Sequence, residues 1–223
     1  MIKPPKLILF DLDGTLIDSV PDLSAAVDAT LRNLGLPEAG ESRVRTWVGN
    51  GAAMLIARVL AHAGVEDELQ STALDHFLEY YERHCAQETC LYPNVEETLS
   101  VLQRRSVAMG IVTNKPRRFV APILEHLKIA AYFQYIIGGD DLPEKKPHPL
   151  PLIHCMQALD YSADDTLMVG DSVNDIQAAQ AAGVPIIAVS YGYNHGRPVT
   201  ADGPDRVIAN FSQLMDTFYP NKA

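Results

Sequence analysis

The feature that most restricts this chain is an alternation of short, wholly apolar runs with amphipathic segments. Lys6 to Phe10, Val107 to Thr113, Tyr135 to Gly138, Thr166 to Gly170 and Ile186 to Val189 are such runs, and Arg206 to Ala209 is a weaker sixth. Runs that are apolar along their length, rather than at every second residue, mark strands covered on both faces. Helical spacing separates them: Val95, Thr98, Leu99 and Leu102 after Asn94, then Pro116 to Leu127, Leu150 to Leu159 and Val173 to Ala182. Asn94 is read as an N-cap with Glu97 placed for a capping box. Gly183, with Pro185 just beyond, stops the last helix. Strands alternating with helices predict an α/β fold, a Rossmann-like parallel sheet with helices on both faces.

The rhythm breaks once. Between Ile17 and Tyr92 no convincing strand is found. Pro21 opens a helix carrying Val20, Leu23, Val27, Leu31 and Leu34, closed by Gly35, and Ala52 to Ala63 and Glu66 to Cys85 also read as helices. The pattern predicts a small α-helical cap domain, residues 17–92, inserted into a core made of residues 1–16 and 93–223. The linkers fall near Leu16–Ser19 and Glu88–Pro93.

Composition narrows the partners. The 223 residues are 47% hydrophobic and 21% charged, with a formal net charge of −10. Such a balance argues against non-specific nucleic-acid binding and against docking on an anionic membrane. An acidic chain that handles an anion has to gather local positive charge, from a metal ion or from placed lysines. Leu7 to Phe10 is too short for the apolar core of a signal peptide, and no stretch reaches transmembrane length. Cys85, Cys90 and Cys155 follow no metal-ligand spacing. A cytoplasmic protein, monomeric or homodimeric, is expected.

Chemistry-bearing residues gather where strands end. Asp11 and Asp13 follow the first strand in Asp11-Leu12-Asp13-Gly14-Thr15-Leu16, and ligands of open parallel sheets sit beyond the carboxyl ends of strands. Asp-Gly is also a plain turn signal. Asp171 and Asp175 follow the strand at Thr166 in Gly170-Asp171-Ser172-Val173-Asn174-Asp175, where Asp or Ser could serve only as an N-cap. Paired carboxylates beside a crevice suit Mg²⁺. Thr113-Asn114 ends another strand and offers a hydroxyl and an N–H to a phosphoryl oxygen, or simply completes a turn. Lys146, in Lys145-Lys146-Pro147-His148-Pro149, lies on a stiff segment, although most lysines are solvated. His148 and His195 are too isolated to suggest zinc. Trp47 and Tyr80-Tyr81 read as aromatics of the cap interior or of its contact with the core.

Taken together and in this order, these motifs resemble the haloacid dehalogenase-like hydrolase superfamily in its phosphatase branch, over nearly the whole chain. Asp11-x-Asp13-Gly14-Thr15, Thr113-Asn114, Lys146-Pro147 and Gly170-Asp171-Ser172-x-Asn174-Asp175 match its four motifs. The resemblance implies that Asp11 is the nucleophile. Asp13 would be general acid for the leaving alkoxide, then general base for water. It further implies Mg²⁺ held by Asp11, the main-chain oxygen of Asp13, and Asp171. Asp175 would bind a metal water or orient Lys146, with Asn114 and Ser172 in support, and Thr113 and Lys146 would clamp the phosphoryl oxygens. An acid at Asp13 favours phosphate esters over carbon–halogen bonds, because a halide leaves without a proton.

Within the superfamily, Trp47-Val48-Gly49-Asn50-Gly51, Thr113-Asn114-Lys115-Pro116 and Tyr191-Gly192-Tyr193-Asn194-His195-Gly196 are similar to stretches of the bacterial phosphoglycolate phosphatases. The expected reaction is hydrolysis of a small phosphorylated metabolite, 2-phosphoglycolate before others. Gly49, Asn50 and Gly51 precede a helix, whose free N–H groups suit the substrate carboxylate, while an ordinary helix start explains the glycines equally well. Arg45 and Arg58 are further carboxylate partners to consider. The alternatives are a phosphatase for a sugar phosphate, an amino-sugar phosphate or a nucleotide, a hexose-phosphate mutase, and a silent phosphometabolite-binding module. The mutase is disfavoured because Ile17 to Leu23 lacks histidine, and the silent module because both Asp11 and Asp13 are present.

Overall fold

A computed structural model describes residues 3–65 and 67–219. Its strands in chain order are β1 (Leu7–Phe10), β2 (Ile17–Asp18), β3 (Cys90–Leu91), β4 (Ala108–Val112), β5 (Tyr135–Ile137), β6 (Thr166–Gly170), β7 (Ile186–Val189) and β8 (Arg206–Ile208). The helices are α1 (Val20–Asn33), α2 (Glu41–Trp47), α3 (Ala52–His62), α4 (Gln70–His84), α5 (Val95–Arg104), α6 (Arg117–His126), α7 (Leu150–Leu159), α8 (Val173–Ala182) and α9 (Gln213–Phe218).

Six strands form one parallel sheet in the order β5-β4-β1-β6-β7-β8. The chain builds outward from β1 in one direction and then in the other. β1 and its neighbours therefore flank the switch point, beyond whose carboxyl ends a crevice opens. Strand side chains alternate faces, so β1 serves two cores. Ile8 and Phe10 pack with Leu99, Phe119, Phe211 and Leu214 of the α5, α6 and α9 side. Leu7 and Leu9 pack with Leu152, Cys155, Ile176 and Ala179 of α7 and α8. All four β1 residues are fully buried, which accounts for a run with no polar alternation.

Helices α1 to α4 fill the stretch between β2 and β3, with α1 along α4 and α3 against α4. Their apolar faces join the same cluster as one side of the sheet, through Val44, Leu55, Ile56, Phe77 and Tyr81. Both linkers contain strand: Ile17 pairs with Leu91 and Asp18 with Cys90 in a two-residue antiparallel ribbon. Runs this short carry no periodicity, which is why the segment reads as strand-free. Helix α2 was also not anticipated, since seven residues with Val44 alone buried show no apolar stripe. The helix expected from Glu66 begins, within the described residues, as a 3₁₀ turn at Asp67–Leu69 leading into α4; Glu66 lies outside them.

Asn94 does not cap α5 with its side chain. It has a left-handed backbone (φ 65°), and its amide instead donates to Asn210 Oδ1 at 3.0 Å. A capping box does form at α8, from Ser172 and Asp175. No helix among the described residues is long and apolar enough to cross a membrane.

Candidate active site

Asp11 and Asp13 follow β1, Thr113 and Asn114 follow β4, and Asp171 to Asp175 follow β6, three adjacent strands of the sheet. Lys146 reaches the same point from the loop before α7. Its ammonium lies 2.9 Å from Asp11 Oδ1 and 2.6 Å from Asp175 Oδ1, with 2% of the residue exposed. The contact with Asp11 is an ion pair without hydrogen-bond alignment, and Asp11 Oδ1 has no hydrogen-bond donor among the described residues. Asp175 is fully committed. Its Oδ2 accepts from Ser172 N (3.0 Å), Ser172 Oγ (2.8 Å) and Asp171 N (3.3 Å), while Oδ1 takes Lys146. The capping contact and the contact with Lys146 therefore fall on one carboxylate.

Carboxylate oxygens of Asp11, Asp171 and Asp175 lie within 4.8 Å of one another. Burial pushes the Asp11 carboxyl up to about 7, against the pull of Lys146, and neighbouring Asp175 and Asp13 add to the rise. Burial, then the charges of Asp175 and Asp11, hold Asp171 well above the usual carboxylate range. Lys146 is shifted upward: burial would lower it, but the two carboxylates outweigh that. With all three ionised, these buried acids around one lysine would carry excess negative charge, which a divalent cation would neutralise, and hard oxygen ligands suit such an ion. Asp171 is held by Thr15 Oγ (3.0 Å) and by the Tyr193 N–H (2.7 Å). Gly14 and Gly192 press against it: a Cβ on either would come within 2.5 Å of its side chain.

Thr113 is buried, and its hydroxyl accepts the Lys115 N–H at 3.2 Å, the turn contact that its position allowed, while the residue also lines the crevice. Asn114 clasps three segments. Its amide donates to Lys146 O (2.9 Å) and to Gly49 O (3.0 Å), and its buried Oδ1 has no partner among the described residues. The Gly49-Asn50-Gly51 turn is thus seated on the strand ends. Gly49 O also accepts from Asn174 (3.2 Å), Asn50 bonds Asn174 and Arg58, and Lys145 Nζ donates to Asn50 O (2.9 Å). Gly49 and Gly51 line the crevice; Asn50 does not. Arg45 pairs with Asp18 and Glu41, and Arg58 holds Asn50 and the Trp47 carbonyl, so neither arginine borders the crevice. Trp47 packs on His62. His195 rests beside Gly49 and Thr46 rather than in the crevice.

Three residues with site contacts were not singled out from the sequence. Lys115 is buried, with Nζ 2.9 and 3.2 Å from the Asp13 carboxylate oxygens and 2.8 Å from the hydroxyl of Tyr81 on α4. Tyr193 donates its hydroxyl to Asp18 (2.8 Å) and accepts the Ser19 N–H (3.0 Å), tying the β2 linker to Asp171. Ser19 Oγ donates to Asp13 Oδ1. The crevice between these strand ends and helices α1, α3 and α4 encloses about 510 Å³, open solvent included. Leu23, Val48, Leu55, Phe77 and Phe119 make most of its wall apolar.

The described geometry agrees with what the chain resembles. Residues 8–189 match the family model for haloacid dehalogenase-like hydrolases. A phosphoglycolate phosphatase of Pseudomonas syringae pv. tomato is 51% identical over 96% of this chain and 79% of its own length. One from Yersinia pseudotuberculosis is 49% identical over 93% of this chain and 90% of its own. A crystal structure of a predicted phosphoglycolate phosphatase from Haemophilus somnus superposes with a TM-score of 0.92 at 38% identity, covering 95% of this chain and 97% of that one. On sequence and fold alike, the chain belongs to the haloacid dehalogenase-like hydrolase family.

Proposed function

We propose that this phosphatase of small phosphate esters hydrolyses 2-phosphoglycolate to glycolate and phosphate, in two steps on Asp11. The observation that carries the reading is the crevice over Asp11 and Asp13, whose mostly apolar wall offers too few hydrogen-bond partners for a hydroxyl-rich sugar. The similar phosphoglycolate phosphatases support the same ester.

In the first step an Asp11 carboxylate oxygen attacks phosphorus, and the bond from phosphorus to the glycolate oxygen breaks. Asp13 gives its proton to that oxygen. In the second, Asp13 takes a proton from the water that attacks phosphorus, phosphate departs, and Asp11 is restored. Lys146 and Thr113 hold the phosphoryl oxygens, where charge accumulates. Asp175 positions Lys146 and Ser172, and Asn114 fixes the Thr113 loop against Lys146. Asp11, the main-chain oxygen of Asp13, and Asp171 would hold Mg²⁺. When bound, the ion supplies positive charge that keeps Asp11 ionised and screens the phosphoryl group. Residues 17–92 act as a cap on the core of residues 1–16 and 93–223, swinging on the β2–β3 ribbon to admit substrate and then water. Gly49, Asn50 and Gly51 bring the start of α3 to the substrate. The setting we infer is the cytoplasm.

The test is phosphate release from 2-phosphoglycolate, a hexose 6-phosphate, an amino-sugar phosphate and a nucleotide, with and without Mg²⁺. Metal-dependent turnover is expected to be fastest on 2-phosphoglycolate. A sugar phosphate or nucleotide turned over faster would overturn the substrate assignment.

A further inference from the structure

Resting on that substrate reading, we propose that Lys115, presented by Tyr81 of α4, recognises the carboxylate of the substrate and selects carboxylate-bearing esters. Apart from Lys146, which faces Asp11 and Asp175, Lys115 is the one cationic side chain among the described residues that line the crevice. It is not a solvated lysine. Only 3% of its side chain is exposed, and it projects between Asp13 and the Tyr81 hydroxyl, with no other anion among its hydrogen-bond partners. A buried ammonium needs a counter-charge, and the Asp13 carboxylate, whose oxygens lie 2.9 and 3.2 Å from Nζ, supplies it.

The size of the substrate fixes where its charge falls. In 2-phosphoglycolate one methylene separates the leaving oxygen from the carboxylate. If Asp13 faces the leaving oxygen, the carboxylate must lie beside Asp13, in the space that Lys115 Nζ reaches. A carboxylate placed there without a cation would be buried uncompensated in an apolar pocket. Lys115 can turn from Asp13 to the incoming carboxylate and keep its hydroxyl partner on Tyr81, leaving an Asp13 oxygen open to the leaving group. Gly51 and Ala52, which also line the crevice, begin α3, whose first N–H groups have no partners within the helix and add a second source of favourable charge for the anion. Tyr81 belongs to the helical insertion and Lys115 to the core, so the selecting ammonium is held in place only when the two are packed together.

The experiment compares kcat/KM for 2-phosphoglycolate with kcat/KM for 2-hydroxyethyl phosphate, its counterpart with a hydroxymethyl group in place of the carboxylate, under saturating Mg²⁺. The ratio cancels effects on machinery that both esters share. In the wild type it should reach about 100, the discrimination expected of a charged hydrogen bond. Lys115→Met should bring it to within a few-fold of one, Lys115→Arg should keep most of it, and Tyr81→Phe should lower it several-fold through KM. A ratio unchanged in Lys115→Met, with both esters slowed equally, would overturn the proposal and leave Lys115 as a partner of Asp13 alone. If Lys115→Met does not fold, the wild-type ratio and Tyr81→Phe decide: a wild-type ratio near one, or Tyr81→Phe without effect on it, is fatal. A wild type that favours a sugar phosphate over both esters sinks the substrate assignment itself, which is a separate outcome.

Discussion

Lys146 is enclosed by Asp11 and Asp175, and each carboxylate depends on it for compensation. Lys146→Met would leave two buried acids without their counter-charge. We expect a loss of about 3 kcal/mol in stability, read by urea unfolding at pH 8 without metal. Turnover should fall by at least about 100-fold, as when a preorganised charge at a transition state is removed. A variant with wild-type kcat would remove Lys146 from the site. The residues of the acidic cluster were legible in the sequence because each follows a strand end, and the order of strands brings those ends together. Tyr81 was legible as an aromatic of the cap interior or of its contact with the core, but its bond to Lys115 was not, because that bond spans 34 positions and joins a helix of the insertion to a loop of the core. No local spacing encodes that contact. Tyr193 escaped notice for the same reason, with its hydroxyl on Asp18, 175 positions away.

Among the elements, the join between insertion and sheet is governed by one buried acid. Asp22, in the first turn of α1, accepts the N–H groups of Glu88 and Thr89 at 2.9 to 3.1 Å and the Thr89 hydroxyl at 2.7 Å. It thereby pins the outgoing linker to the incoming helix. Asp22→Ala should lower stability by about 3 kcal/mol, since three donors lose a charged acceptor inside the protein. Thermal melts of the folded variant check this, and a shift within error of zero would contradict it. The long elements were readable from period alone: β6, β7, α7 and α8 have the bounds that their sequences suggest. The two-residue strands β2 and β3 were not, because pairing of Ile17 with Leu91 is a consequence of closing the insertion rather than of either segment's own pattern.

For the whole molecule, charge at the site couples folding to pH and metal. Asp11, raised to about 7, and Asp171, held well above the usual carboxylate range by burial, keep protons in the folded metal-free protein that the unfolded chain releases near 4. Over that interval the folded state binds more protons, so stability of the metal-free protein should fall as pH rises from about 4 to about 7. The Asp11→Asn protein lacks one of these groups. Its melting temperature relative to wild type should therefore climb over the same range, and a constant difference would contradict the assignment. Mg²⁺ should stabilise the wild type more at pH 8 than at pH 5, because ligands must be ionised to bind it.

The most direct measurement is chemical capture of the phosphorylated enzyme. Wild-type protein would be mixed with 2-phosphoglycolate carrying a radioactive phosphoryl group in Mg²⁺, quenched in acid within milliseconds, and digested for mapping. Label is expected on the peptide containing Asp11, released by hydroxylamine as an acyl phosphate is, and absent in Asp11→Asn. Rapid phosphate release by the wild type with no label on that peptide at any quench time, or label persisting in Asp11→Asn, would contradict attack by Asp11.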